Sequence, residues 1–254
     1  MSPAAKPQPT TVEVVVDSVA GALAAAHGGA HRLELCCALA EGGLTPSLGL
    51  LQQVVRNCRL PVMAMLRPRG GDFLYDEREF AVVLADAEAL LAAGAHGLVF
   101  GALDADGNLD RPRMEAVMRA AAGRPVTCHR AFDVAADCGA VLEHLIALGV
   151  QRVLTSGQKA SALAGADRIR ALVAQSKGRI AVMAGGGLRP DTAAAFVLRT
   201  RVPEVHLSAT VWQQSPMRHR NAEVAMGGKA PAGEYVRRGT DAAAVAAVVA
   251  ALQK

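Results

Sequence analysis

The sequence predicts an α/β protein that folds as a single-domain (β/α)8 TIM-like barrel. Short β-branched or apolar runs alternate along the chain with Ala- and Leu-rich stretches of helical periodicity. Strict alternation of strand and helix requires right-handed crossovers and a parallel sheet, and eight repeats of roughly thirty residues are the number that closes a barrel. An open doubly wound sheet is the competing architecture.

Each predicted element is bounded by its own sequence signals. The predicted strands, in chain order, are TVEVVV, RLELC, PVMAML, GLVFG, PVTCHR, RVLTSG, RIAVMAG and EVHLSA. The predicted helices are residues 18–28, 47–58, 76–93, 110–122, 137–148, 159–176, 190–199 and 241–253. Proline follows Arg189 at the first position of one helix, and Gly94, Gly123 and Gly149 stand at the ends of others, which is typical of helix boundaries.

The first ten residues, MSPAAKPQPT, contain three prolines and no apolar stretch. Residues 1–10 are therefore expected to form a disordered leader that is not a secretory signal, and residues 11–254 the barrel domain. No apolar run reaches the roughly eighteen residues of a membrane span, so no membrane association is expected.

The cysteine content indicates the cellular compartment, and the small net charge argues against nucleic acid as a partner. Five cysteines with no CxxC and no secreted-framework spacing indicate free thiols in a reducing, cytoplasmic location. The net charge is only +4, and basic residues cluster only between Arg218 and Arg238. No nucleic-acid partner is therefore expected.

Side-chain alternation assigns the polar residues of the strands to one face. Leu33 and Leu35 share a face that must lie under helices, so Glu34 and Cys36 point into the barrel. The same parity points these residues inward: Glu13, Val15, Asp17, Met63, Met65, Arg67, Thr127, His129, His206 and Ser208. Charged side chains from separate strands therefore meet inside the barrel, whose carboxyl-terminal mouth holds the active site in this fold.

The inward residues are of the types that perform acid–base catalysis. In an enzyme, Glu34 and His129 would be the acid and base groups, and Arg67 would hold substrate charge. His206 would complete the site or help to bind a divalent metal together with Glu34 and Asp17.

Two simpler alternatives remain open at this stage. Glu34 and Arg67 come from neighbouring strands, so they are also placed to form an ion pair that closes the barrel. Asp133 follows His129 by four residues and would either orient that histidine or cap the next helix.

The loops that follow the strands have the composition of anion-binding loops. AEGGLTPS and RPRGGDFLYDE place glycines beside Thr45, Ser47 and two arginines, and a glycine triplet follows the seventh strand. Many barrels hold phosphate on backbone amides after their seventh and eighth strands. The predicted anion-binding residues are Arg67, Arg69, Gly185, Gly186, Gly187 and Ser208.

Several chemistries are disfavoured. No lysine lies within a predicted strand, which argues against an imine-forming aldolase, although Lys159 lies just beyond the sixth strand. The glycine triplet lacks the spaced GxGxxG pattern of a dinucleotide site, and the sequence has no GxSxG elbow, HExxH helix or P-loop.

Several segments resemble the copper homeostasis protein CutC family. They are RLELCCALAEGGLTPSLG, PVMAMLRPRGGDFLY, GLVFGALDADGNLD, CHRAFD, RVLTSG, RIAVMAGGG and SPMRHRNAEVAMG, in that order. The resemblance implies a TIM-like barrel, a cytoplasmic location, a small homo-oligomer (dimer or tetramer) and a role in copper handling.

The resemblance also implies a metal-binding residue. Cu(I) favours thiolate and thioether ligands, so Cys36, with Met65 on the next inward face, is the expected copper ligand. Some family members carry a second cysteine at the position of Val15, a donor that this chain lacks.

Two functions are therefore expected from the sequence. The first is a copper homeostasis protein that binds or traffics Cu(I) through Cys36 at the barrel interior. The alternative is a barrel enzyme that acts on a small anionic or phosphorylated metabolite at the carboxyl-terminal mouth. A scaffold that acts through its basic surface between Arg218 and Arg238 is the third class.

Overall fold

Eight parallel strands, paired in chain order, close into a barrel in this computed structural model, which describes residues 10–221, 223–224 and 233–253. The strands are β1 (Thr11–Val16), β2 (Arg32–Leu35), β3 (Val62–Met65), β4 (Gly97–Phe100), β5 (Val126–Cys128), β6 (Arg152–Thr155), β7 (Ala181–Gly185) and β8 (Glu204–Leu207). β1 pairs with both β2 and β8, which closes the circle and confirms the predicted TIM-like barrel.

Helices connect successive strands and surround the barrel. They are α1 (Val19–His27), α2 (Leu48–Asn57), α3 (Glu77–Ala92), α4 (Arg111–Ala121), α5 (Cys138–Ala147), α6 (Ala166–Ser176), α7 (Pro190–Thr200) and α8 (Ala242–Leu252). A capping box begins α3: the Asp76 side chain accepts from the Glu79 amide, and the Glu79 side chain accepts from the Asp76 amide. Gly94 ends α3 in the left-handed conformation that glycine favours.

The structure corrects the predicted start of α6. The sequence predicts a helix from residue 159, but α6 begins at Ala166. The preceding residues form a loop in which Gly157 and Gly165 touch backbone to backbone, and a Cβ atom on Gly165 would lie 1.9 Å from the carbonyl oxygen of Ser156. This close backbone contact bends the chain before the helix begins.

An antiparallel hairpin, absent from the predicted elements, follows the barrel. Its strands are β9 (Thr210–Gln214) and β10 (Val236–Thr240). Two short 3₁₀ turns, Leu39–Glu41 and Arg130–Val134, also follow β2 and β5. The leader expected over residues 1–10 lies outside the described residues apart from Thr10.

The two faces of the barrel wall carry different residues, as the alternation predicts. Leu33, Leu35, Ala64, Val205 and Leu207 belong to the large apolar cluster between the strands and the helices. A second, separate cluster fills the barrel interior and consists of Val15, Cys36, Met63, Met65 and Val99. The inward direction predicted for Glu34 and Cys36 is therefore confirmed.

A charged layer lies across the barrel interior, at the strand starts. Arg32 donates to the carboxylates of both Glu13 and Glu204, and Arg152 Nε lies 3.3 Å from Glu204 Oε2. Burial alone would lower the pKa of Arg32, but the negative charges of Glu13 and Glu204 raise it above its ordinary value. Because desolvated ions are tolerated only when they are paired, this network accounts for four charged side chains in the interior.

Within the described ranges, no helix combines the length and the apolar character that crossing a membrane requires.

The charged layer predicts a strong stability effect at Arg32. Replacing it in Arg32→Met leaves two buried carboxylates without their shared cation, so we expect a loss of about 3–5 kcal/mol in the free energy of unfolding, measured by urea denaturation. The matched control is Arg199→Met, because Arg199 pairs with Asp167 on the solvent-exposed surface. Equal, small effects of both substitutions would show that the layer does not depend on Arg32.

Candidate functional site

A cavity of about 340 Å³ opens at the carboxyl-terminal end of the barrel. This volume suits a small metabolite. Of the residues predicted to point inward, the cavity wall includes Val15, Glu34, Met65, Arg67, His129, His206 and Ser208. The glycine triplet from Gly185 to Gly187 also lines it, so these residues, from six different strands or the loops that follow them (β1, β2, β3, β5, β7 and β8), contribute to one site.

Three buried polar atoms in this wall have no hydrogen-bond partner in the described part of the chain. They are Glu34 Oε1, Arg67 Nε and His129 Nε2. The three residues are 3%, 7% and 3% exposed, so solvent reaches them little. An unsatisfied buried polar group costs about 1–3 kcal/mol, and three of them around one cavity indicate a place where a ligand supplies the partners.

Arg67 is held rigidly by backbone oxygens. Its Nη1 donates to the carbonyls of Glu41 at 2.7 Å and Gly43 at 3.1 Å, and its Nη2 donates to Gly71 at 3.0 Å. The Thr45 hydroxyl accepts from the Arg67 amide at 3.0 Å. Since these partners are neutral, the guanidinium keeps an uncompensated positive charge beside the cavity.

His129 lines the cavity and carries a neutral N–H donor. Its Nδ1 accepts from the Ala131 amide at 3.1 Å, which places the ring proton on Nε2. Burial, with the nearby charge of Arg67, lowers the pKa of His129 to about 3, so the ring is neutral at physiological pH. Phe73 packs against it with ring centroids 4.9 Å apart.

Glu34 is the group in the cavity with a pKa near neutrality. Burial raises the pKa of Glu34 to about 7, while the charge of His206 opposes the rise and that of Glu13 adds to it. Its Oε2 lies 3.7 Å from His206 Nε2 and accepts from the Cys36 thiol at 3.7 Å. A carboxyl group with this pKa can take up or release a proton at physiological pH.

His206 links the cavity to the charged layer. Its Nδ1 lies 2.9 Å from Glu13 Oε1, and its Nε2 faces Glu34. Burial would lower the pKa of His206, but the charges of Glu34 and Glu13 raise it above its ordinary value. Burial would likewise raise the pKa of Glu13, but the hydrogen bond from His206 and the charge of Arg32 lower it to about 2. His206 therefore lies between two carboxyl groups, which favour its protonated form.

The same three side chains offer ligand atoms for a divalent metal. One oxygen each of Glu13 and Glu34 and one nitrogen of His206 lie within 4.8 Å of one another. Glu13, rather than the predicted Asp17, joins the group. Two carboxylates and an imidazole suit a divalent ion better than soft Cu(I). Such an ion would have to displace a proton from His206 and compete with Arg32 for Glu13. The charges of these side chains therefore already compensate one another without a metal ion.

The sequence of this site falls within a known family. The model of the CutC family matches residues 10–211 of the chain. The chain belongs to the CutC family. A human relative named copper homeostasis protein cutC homolog is 47% identical over 230 residues, which are 91% of this chain and 84% of the human protein.

Solved structures agree with this assignment. A structure from Streptococcus agalactiae that bears the name copper homeostasis protein CutC has a TM-score of 0.74 at 29% identity, and the match covers 78% of this chain and 97% of the other. Thiamine phosphate pyrophosphorylase from Pyrococcus furiosus has a TM-score of 0.57 at 14% identity over 96% of both chains. The second likeness shows the barrel fold alone.

Cys36 of this CutC chain is a buried thiol. It is fully buried in the interior cluster, and its burial and the charge of Glu34 raise the pKa of the thiol well above its ordinary value. The thiol is therefore protonated at neutral pH, whereas a metal ligand must be the thiolate. All five cysteines are free thiols, and Cys128 packs outside the barrel wall, as its parity predicts.

Other predicted residues of the CutC chain have roles that differ from the expectation. Arg69 lies away from the cavity wall and is bound by Glu79 and Asp72, so the structure does not bring it to the predicted anion site. The expected Glu34–Arg67 ion pair does not form within the described residues, because Arg67 donates to backbone carbonyls and Glu34 faces His206.

Two polar residues that were predicted near the site stabilise turns and a helix start instead of lining the cavity. Asp133 neither orients His129 nor caps α5: its carboxylate accepts from the Thr155 hydroxyl at 2.5 Å and from the Ser156 amide at 2.9 Å. It thereby fastens the turn after β5 to the loop after β6. Ser47 accepts from the Leu50 amide and caps α2.

Sequence reasoning missed two sets of residues in this CutC site. The first set belongs to the charged layer beneath the cavity and consists of Arg32, Arg152 and Glu204. The alternation of side chains along their strands would have predicted that all three point inward. Arg238, which also lines the cavity, comes from the unpredicted hairpin, and its polar, irregular surroundings gave no signal.

Titration of Glu34 predicts a pH dependence of stability. Its pKa of about 7 in the folded protein exceeds the ordinary value of 4.5, so the folded state retains a proton that the unfolded chain releases between these values. Wild-type stability therefore falls as pH rises through this window, by on the order of 3 kcal/mol relative to Glu34→Gln. Urea unfolding between pH 5 and pH 8 measures the difference.

Glu41→Gln is the matched control for this titration, because Glu41 lines the same mouth but is exposed to solvent. We expect it to follow the wild-type profile. If Glu34→Gln also follows that profile, the pKa of Glu34 is not raised in the folded protein.

Proposed function

We propose that this CutC protein is an enzyme that moves a proton to or from a small anionic metabolite at the barrel mouth. The proposal rests on one observation: Glu34, Arg67 and His129 line one cavity, and each has a buried polar atom (Oε1, Nε and Nε2) without a protein partner within the described residues. The three atoms comprise one proton acceptor and two hydrogen-bond donors. That combination suits proton abstraction next to a carbonyl group.

The two donors would polarise the substrate carbonyl. The Arg67 and His129 N–H groups donate to its oxygen, and the charge that develops there in the transition state is stabilised by donors that are already fixed in place. Arg67 is fixed by three backbone carbonyls, and His129 by the Ala131 amide. Because His129 is neutral, it stabilises the oxygen by hydrogen bonding, while Arg67 supplies the positive charge.

Glu34 would be the base. Its carboxylate removes the proton from the carbon next to the carbonyl, the C–H electron pair becomes a C=C bond, and the carbonyl electron pair moves to oxygen. Glu34 then returns the proton to carbon or to the neighbouring oxygen. A pKa of about 7 lets the same group act in both directions at physiological pH.

His206 would support Glu34 as a positioning residue. It lies between Glu34 and Glu13 and holds a positive charge that favours the ionised form of Glu34. This charge keeps the pKa of Glu34 near neutrality in a site where burial alone would raise it further.

Solvent deuterium exchange tests this activity. Wild-type protein in D₂O, incubated with a panel of small 2-oxo acids, hydroxy ketones and their phosphate esters, is expected to replace the acidic C–H of at least one compound, as measured by loss of its proton NMR signal. Glu34→Gln should slow the exchange by about a hundredfold or more, since it removes the base. Glu41→Gln, at the exposed rim, should exchange at the wild-type rate. Equal rates in wild type and Glu34→Gln, or no exchange across the panel, would refute the proposal.

Copper handling through Cys36 is the second candidate function. The observation that favours it is the interior cluster, in which Cys36 lies with the thioethers of Met63 and Met65. These are the soft ligands that Cu(I) prefers. The name of the human relative contains copper homeostasis, which agrees with Cu(I) binding or trafficking as cargo. The chain has Val15 where a second thiol would strengthen such a site.

Cu(I) titration of reduced protein against a competing chelator tests this candidate. Cys36→Ser should weaken Cu(I) binding, because it removes the thiol from the interior cluster. Cys58→Ser is the matched control, since Cys58 is also buried but lies outside the barrel wall. Identical affinity of wild type and Cys36→Ser would exclude Cys36 as the copper ligand.

We also propose a cytoplasmic location and a homo-oligomer. Five free cysteines support a reducing compartment. Exposed apolar side chains such as Val134 and Leu198 supply candidate contacts between subunits, which sedimentation equilibrium measures directly.

A further inference from the structure

We propose that the cavity contains a second subsite that binds a phosphate group, formed by Gly186, Gly187, Ser208 and Arg238. The inference deepens the proposed function, on which it rests: it identifies the substrate class as short phosphorylated carbonyl compounds. The carbonyl end would face Arg67 and His129, and the phosphate end would face the loops after β7 and β8.

The glycine loop after β7 exposes backbone donors. Gly186 and Gly187 have φ angles of 106° and 82°, which favour glycine. The Gly186 carbonyl accepts from the Ala162 amide at 2.9 Å, so the Gly187 N–H, on the opposite side of the same trans peptide plane, points away from that partner. Neither the Gly186 nor the Gly187 amide donates a hydrogen bond to any described residue.

Close packing holds this loop beside the catalytic side chains. A Cβ atom on Gly185 would lie 2.7 Å from Leu154 Cδ1 and 3.2 Å from His206 Cβ. The strand therefore approaches His206 as closely as a glycine allows, and the loop that follows is fixed against the same cavity. Successive unpaired backbone N–H groups in such loops form concave sites that bind anions.

Arg238 brings a side-chain cation to the same end of the cavity. It lies on β10 opposite Trp212, and the hairpin is fastened where the Asp241 amide donates to the Ala209 carbonyl at 2.8 Å. Ala209 has a φ of 40°, an unfavourable conformation for alanine that turns the chain from Ser208 into the hairpin. Arg238 has no carboxylate partner among the described residues.

The donors fit phosphate in number and in charge. Gly186, Gly187, Ser208 and Arg238 line the same cavity. Together they offer two amides, one hydroxyl and one guanidinium, which suits the three terminal oxygens of a phosphate monoester. Arg67 and His129 line the same cavity, and their Nε and Nε2 atoms have no partner among the described residues, so donor residues lie at both ends of the proposed ligand. The volume of about 340 Å³ accommodates a compound of a few carbon atoms with one phosphate.

Calorimetric titration with inorganic phosphate and with glycerol phosphate tests the subsite. Wild-type protein is expected to bind both. Arg238→Leu should weaken binding by about ten- to hundredfold, the loss of one charge-assisted hydrogen bond, and Ser208→Ala by about two- to tenfold. Arg237→Leu is the matched control, because Arg237 is the adjacent, exposed residue of the same strand and points to the other face.

The outcomes separate this inference from the proposed function. No phosphate binding by wild type, or equal weakening by Arg238→Leu and Arg237→Leu, would overturn the subsite. Glu34→Gln should retain phosphate binding, because Glu34 is not one of the four residues of the subsite. If phosphate binds through Arg238 while Glu34→Gln exchanges deuterium at the wild-type rate, the subsite stands and the proton-transfer function fails.

Discussion

One constraint governs the structure: the outer face of every barrel strand must be apolar, because helices cover it. Eight strands are covered by helices, so leucine, valine and alanine occupy one side of the wall, and polar residues on the strands must point toward the axis. A barrel interior has little water, so those residues must compensate one another or bind a ligand. The charged layer at the strand starts satisfies this constraint internally. At the strand ends, three buried polar atoms of residues that line the cavity have no partner among the residues that the structure describes.

The two layers are joined through His206. Arg32 fixes Glu13, Glu13 holds His206, and His206 faces Glu34, so a chain of charges runs from the stabilising layer to the reactive carboxyl group. The pKa of Glu34 reflects burial and the opposing charges of His206 and Glu13. The same barrel interior therefore supplies stability at one end and a proton acceptor at the other.

Much of the fold and part of the site were predictable from the sequence because both follow from local rules. The alternation of faces placed Glu34, His129 and His206 inward from neighbours such as Leu33 and Val205, without reference to long-range contacts. Partner choice was not predictable: Arg67 donates to loop carbonyls whose positions depend on left-handed glycines, and Arg69 turns to Glu79. The hairpin that delivers Arg238 lacked an apolar pattern, so its contribution to the cavity appears only in three dimensions.

We propose that Glu34, Arg67 and His129, whose buried polar atoms lack partners among the described residues, form a ligand site at the barrel mouth. A crystal structure of the protein with 2-phosphoglycolate, a two-carbon carboxylate with one phosphate, is the decisive test. We expect carboxylate oxygens within about 2.7–3.2 Å of Arg67 Nε and His129 Nε2, with the phosphate against Gly186, Gly187 and Arg238. The compound bound elsewhere, with those two nitrogens still without a ligand contact, would contradict this proposal.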